Sequence, residues 1–200
     1  MHWTAENIPR EVNAKIWASL IAPRPLALIS SVNEAGTPNI APFNAFTGLA
    51  NYPAMLGVSF SQRAGREKHT LANIKATNEF VVNLVPRFLA DIMMQAAAGT
   101  DQTDDFERLG LTLKKSGMGN CPRIAECPAS LECRMVQCIT LAPSSCEFVI
   151  ALVTGVYLRD EYVTDDQLFD PMAADLLASV GVETYLSLNG ETLVLPRTWE

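Results

Sequence analysis

The densest chemistry in this 200-residue chain lies between Arg63 and Thr70. Arg63, Arg66 and Lys68 place three of its 15 cations within six residues, and His69 follows them. The chain as a whole carries 22 acidic residues and a formal net charge of -7, so a local run of cations stands out. Thr70 suits the N-cap of a helix predicted to begin at Leu71. Unpaired backbone N–H groups and the positive end of a helix dipole favour an anion at such a point. Arginine and lysine beside them would neutralise a phosphate through charge-assisted hydrogen bonds. The same residues suit a solvated loop that binds nothing equally well.

A second stretch, Ala41-Pro42-Phe43-Asn44-Ala45-Phe46-Thr47-Gly48, mixes aromatic and small residues at a strand end. A flat heteroaromatic ring needs apolar contact on its face and backbone N–H and C=O groups at its edge. For Phe43 and Phe46 themselves, a buried core position is the better reading. Gly117-Met118-Gly119 resembles a fragment of a dinucleotide fingerprint, but Pro122 stands where a further glycine is needed and no helix follows. A resident nicotinamide site is therefore not expected. His2 and His69 are the only histidines, which excludes a Ser-His-Asp arrangement, and neither HExxH nor a P-loop occurs. Asp101, Asp104, Asp105 and Glu107 form an acidic run, read as a solvated face in preference to a metal site.

The five cysteines, at 121, 127, 133, 138 and 146, contain no CxxC pair. They are read as small apolar residues in strands, with a reactive thiol at Cys121 or Cys127 as the lesser alternative. Hydrophobic residues make up 48% of the chain and charged residues 18%. That suits one domain spanning residues 1–200. The acidic balance argues against nucleic-acid and anionic-membrane partners. No apolar stretch approaches the ~20 residues of a membrane-spanning helix, and no leader pattern follows Met1, so a cytoplasmic location is expected.

These residues need a scaffold, and the pattern predicts one. Residues 1–22 read as a short arm with one amphipathic turn, Val12 to Leu20. Strands are predicted over Leu26 to Val32, Pro38 to Phe46, Met55 to Phe60, Glu79 to Leu84, Ala129 to Leu141 and Glu147 to Leu158. Helices are predicted from Leu71 to about Asn78 and from Phe88 to Ala98. Residues 99–128 read mostly as loop. Asn189-Gly190, between Tyr185–Leu188 and Glu191–Leu195, predicts a hairpin with a type I′ turn. Helices do not alternate regularly with strands, so a doubly wound sheet is disfavoured. The expected fold is mainly β with α inserts, an antiparallel barrel closed or nearly so.

With these motifs in hand, a family resemblance follows. Pro23-Arg24-Pro25-Leu26-Ala27-Leu28-Ile29-Ser30, Gly36 and Asn39-Ile40-Ala41-Pro42-Phe43-Asn44-Ala45-Phe46 resemble the opening of the flavin-reductase-like FMN-binding split barrels. The pattern is closest to the flavoredoxin branch. Val58-Ser59-Phe60-Ser61, Arg63-Ala64-Gly65, Lys68 to Ile74, Glu79 to Asn83, Arg123 to Pro128 and Leu131 to Cys133 extend it over roughly residues 20–160. The resemblance implies a homodimer with FMN in an interface groove. It implies Asn44, Ala45, Phe46 and Thr47 at the isoalloxazine edge and Ser59 and Ser61 by the ribityl chain. It implies Arg63, Lys68 and Thr70 at the phosphate, to which charge and position add Arg66. His69 departs from the family, which usually has Asp there. Cys127 stands where Ser is frequent, and the stretch from Ala178 to Tyr185 lacks the usual Arg and Gly-Gly-Tyr-like pattern.

The expected activity is NAD(P)H-dependent oxidoreduction through bound FMN, with NAD(P)H a transient cosubstrate. A small-molecule acceptor or a redox partner protein would take the electrons, and no general acid or base is assigned. The alternatives are a non-catalytic flavin-binding electron carrier and a phosphate-ligand-binding barrel related to pyridoxamine phosphate oxidases.

Overall fold

The computed structural model describes residues 2–61, 67–97, 104–190 and 192. The strands are β1 (Arg24–Pro25), β2 (Ala27–Val32), β3 (Pro38–Phe43), β4 (Phe46–Asn51), β5 (Ala54–Phe60) and β6 (Glu79–Leu84), followed by β7 (Leu113–Lys114), β8 (Arg123–Ile124), β9 (Ala129–Leu141), β10 (Cys146–Leu158), β11 (Leu177–Ser179) and β12 (Tyr185–Ser187). The helices are α1 (Arg10–Leu20), α2 (His69–Thr77), α3 (Ala90–Ala96) and α4 (Asp105–Leu109). Seven strands form one antiparallel sheet in the order β3-β2-β6-β9-β10-β5-β4. β1, β11 and β12 form a smaller sheet, and β7 pairs with β8. The expected class, mainly β with α inserts, is the observed one.

The large sheet curls on itself. Phe43 on β3, at one end of the strand order, packs edge-to-face on Phe60 of β5, near the other end, with ring centres 4.9 Å apart. Ala27, Ile29, Val58, Val82, Val149 and Ala151 surround them, and Leu71 and Ile74 of α2 plug the interior. The opposite face of β2 and β3 turns Leu28 and Ile40 toward a second cluster. There the turn before α3, α3 itself, α4 and the segment before β9 contribute Leu89, Met93, Phe106, Leu109 and Ile124. β2 is covered on both faces, so all six of its residues are buried. That is why it lacks a polar-apolar alternation: Ala27, Leu28 and Ile29 run on without a break, and the polar Ser30 and Ser31 that follow are buried as well.

Several predicted bounds shift. The strand expected over Pro38 to Phe46 ends at Phe43, and a separate strand, β4, runs from Phe46 to Asn51 and pairs with β5. β4 is an edge strand with five exposed residues, so it lacks the apolar alternation that marks a half-buried strand. β3 is the opposite edge and accommodates Pro38 and Pro42, which cannot donate to a ladder. Within the predicted loop 99–128, Asp104 caps α4 by accepting from the amides of Phe106 and Glu107. Asp105 is not on a solvated face: it is buried, accepts from the Ile40 amide at 2.8 Å and pairs with Arg108. Among the described residues no group of acidic, histidine or cysteine side chains could hold a metal ion. The type I′ turn at Asn189-Gly190 does not form, since neither residue has positive φ. Instead β12 pairs with β11, and the Leu188 amide donates to Leu176. The second strand of that predicted hairpin lies almost wholly outside the described residues.

Candidate functional site

The rim of the barrel gathers most of the expected site. β3 stops at Phe43, and Asn44 and Ala45 carry the chain across to β4. The Ser59 amide donates to the Ala45 carbonyl at 2.8 Å, which joins this crossing to β5. Phe46 lies opposite Val58 and packs on the interior, while Thr47, opposite Gly57, is exposed. Gly57 has a steric reason. A Cβ there would lie 2.2 Å from the tip of the Phe148 ring, which occupies the space. Asn44, Ala45, Phe46, Thr47 and Ser59 are therefore brought together along one edge of the sheet. Among the described residues no strand follows β4 in the sheet order, so this edge has backbone groups to offer a ligand.

Ser61 and Lys68 meet at a shallow, open hollow, lined also by Phe60, Glu67, Leu71 and Glu147. The Lys68 ammonium sits over the Phe43 ring, 5.0 Å from its centre. Arg63 and Arg66 lie outside the described residues. The surroundings are not uniformly positive. Glu67 pairs with Lys75, whose ammonium is raised above its ordinary pKa mainly by that hydrogen bond. Glu147 accepts from the Cys138 thiol at 3.3 Å and from the Thr140 hydroxyl at 2.9 Å. Those two bonds hold its carboxyl below the usual range. Sequence reasoning weighed only the cations of this segment and passed over Glu67, the neighbour of Lys68, while Glu147 reaches the hollow only through tertiary packing.

The expected N-cap is corrected. α2 begins at His69, Lys68 is the capping residue, and the Lys68 carbonyl accepts from the Leu71 and Ala72 amides. Thr70 lies inside the first turn and is 2% exposed. Its hydroxyl accepts from Asn39 Nδ2 at 3.0 Å. Asn73 of the same helix donates to Ser31 at 3.1 Å, so two hydrogen bonds tie the start of α2 to the sheet. The Thr70 hydroxyl thus faces the protein, and what this residue can offer outward is its main chain. His69 is exposed beside it.

The other candidates resolve into structure. Glu132 accepts from the Gly117 and Met118 amides, both at 2.7 Å, and Glu79 accepts from Asn120 at 2.8 Å. A Cβ on Gly119 would come 2.9 Å from Glu79, and one on Gly155 would come 2.8 Å from Glu132. Of the glycines that resembled a nucleotide fingerprint, Gly119 makes room for Glu79, while the Gly117 amide donates to Glu132, and the two carboxylates clamp the segment onto β6 and β9. Cys121, Cys127 and Cys133 are buried. Burial pushes the Cys121 thiol up to about 12 and the other two higher still. Neither Cys121 nor Cys127 has the exposed, low-pKa setting of a reactive thiol.

Residues 19–173 match the family described as "Flavin reductase like domain". A curated protein from Aquifex aeolicus, itself uncharacterised, is 31% identical over 156 residues, covering 77% of this chain and 78% of that one. A split-barrel domain protein from Shewanella frigidimarina superposes with a TM-score of 0.87 at 26% identity, over 99% of this chain and 100% of the other. Nitrilotriacetate monooxygenase component B from Bacillus cereus superposes with a TM-score of 0.90 at 23% identity, over 98% of each chain.

Proposed function

From the chain's membership of the flavin reductase-like domain family, we propose that it binds FMN and passes electrons from NAD(P)H to an acceptor. One observation carries the reading: a half-buried lysine, Lys68, stands at a hollow beside an open strand edge. The residues fit the cofactor. The unpaired edge of β4, with Ala45, Thr47 and Gly48 exposed, has room for a flat ring and backbone groups to meet its rim. Ser59 and Ser61 lie between that edge and Lys68. Lys68, with Arg63, Arg66 and the main chain of Thr70, would hold the phosphate.

FMN supplies hydride and single-electron chemistry when bound, so the protein needs no acid or base of its own. Asn44 to Thr47 would orient the ring, and Lys68 would neutralise charge. NAD(P)H is proposed as a transient cosubstrate, because the Gly117–Gly119 segment is clamped by Glu132 and Glu79 and offers no dinucleotide turn. The acceptor is a small molecule or a partner protein. The name of the Bacillus cereus neighbour, one component of a monooxygenase, supports the second possibility. A homodimer and a cytoplasmic location belong to the same proposal. No helix among the described residues is long and apolar enough to cross a membrane.

Titration with FMN and assay of NAD(P)H oxidation test the proposal. FMN should raise the melting temperature, and Lys68→Ala should weaken FMN binding about tenfold, the effect of losing one charge-assisted contact. Unchanged affinity in Lys68→Ala removes the phosphate assignment. Turnover no faster than with free flavin removes the reductase reading and leaves an electron carrier.

A further inference from the structure

Asn39 and Phe43 lie four residues apart on β3, on the face that also turns Ala41 toward the barrel interior. A strand advances about 3.3 Å per residue, so their side chains leave β3 roughly 13 Å apart. Each meets one residue of the segment that enters α2. Asn39 Nδ2 donates to the Thr70 hydroxyl at 3.0 Å. The Phe43 ring lies 5.0 Å from the Lys68 ammonium. Its edge-to-face packing on Phe60 fixes the ring's orientation and so aims one face at Lys68.

We propose that Asn39 and Phe43 are positioning residues for the anion site: they hold the first turn of α2 and the Lys68 ammonium in register with β3, and so set the affinity for the flavin phosphate. The proposal rests on the FMN reading above. A free lysine side chain has many rotamers to lose when it binds an anion, and a side chain already held loses fewer. An aromatic face attracts an ammonium through its quadrupole and does not neutralise its charge. The amide of Asn39 does the matching work on the backbone. With Thr70 tied to β3 and Asn73 tied to Ser31, opposite Asn39 in the ladder, the start of the helix cannot rotate away. One strand face therefore sets both parts of the site, the ammonium and the helix end.

The test compares FMN with riboflavin, which lacks the phosphate, by quenching of flavin fluorescence. The quantity read is the ratio of the two affinities, which general damage to the ring site leaves unchanged. Phe43→Leu should lower the ratio about fivefold. Phe43→Tyr, which keeps an aromatic face, should restore it. In a Lys68→Ala background Phe43→Leu should lower it no further. Asn39→Ala, at a half-buried position, should also lower the ratio and provides a second arm if Phe43→Leu does not fold. A wild-type ratio in both Phe43→Leu and Asn39→Ala overturns the inference. Wild-type protein that binds FMN and riboflavin equally overturns the FMN phosphate reading beneath it.

Discussion

Glu147 illustrates how single residues tune this site against its apparent charge. It borders the hollow that holds Lys68, and its carboxyl stays ionised because the Cys138 thiol and the Thr140 hydroxyl both donate to it. A phosphate entering the hollow meets that negative charge as well as the ammonium. Glu147→Gln keeps the shape and the acceptor oxygen but removes the repulsion. It should tighten FMN binding about twofold to threefold at low ionic strength. The gain should vanish near 1 M salt, where the Debye length is only ~3 Å. Riboflavin affinity should not change at either salt concentration. Equal tightening of both flavins would show that Glu147 acts on the ring and not on the phosphate.

Among the elements, β6 does the most to hold the site's support in place. Asn83 on β6 has no exposed surface. Its amide donates to the Leu28 carbonyl and to Ser30, and its carbonyl oxygen accepts from the Ile124 amide and the Ser130 hydroxyl. One side chain thus joins β2, β6, β8 and β9. Asn83→Ala would leave those partners buried without a match, at about 2–4 kcal/mol of stability. Urea unfolding checks this; a change under 1 kcal/mol would show that water replaces the amide. The strands around Asn83 were legible because burial on both faces leaves continuous apolar runs such as Phe80-Val81-Val82. β4 was not legible, since an exposed edge strand of small residues has no hydrophobic period. The site divides in the same way. Lys68 announces itself by its charge and Ser61 enters only through the family resemblance, whereas the inward turn of Thr70 and the approach of Glu147 depend on contacts between distant elements. Asn189-Gly190 misled for a related reason: β11 supplies β12 with a partner that a local turn signal cannot reveal.

For the whole molecule, the buried thiols dictate how stability responds to alkali. Burial raises Cys121 to about 12, and Cys127 and Cys133 further, from an ordinary value near 9.0. Below pH 9 the thiols are protonated in folded and unfolded chains alike, and their preference for the folded state is fully present. Above it the unfolded chain loses protons that the folded chain keeps, so stability falls as pH rises, up to about pH 12 for Cys121. Each such thiol contributes a slope of about 1.4 kcal/mol per pH unit in that window. Other groups also titrate there, so the decisive comparison is with Cys127→Ala, which removes one thiol from an apolar site. Its unfolding free energy should decline less steeply above pH 9 than that of the wild type, by the equivalent of one proton. The native protein at pH 8 should leave Cys121, Cys127 and Cys133 unmodified by a thiol reagent that labels all five cysteines in urea. Parallel alkaline limbs for the two proteins, or labelling of these three in the folded state, would mean that the barrel opens to solvent and that its core does not hold the thiols as the packing requires.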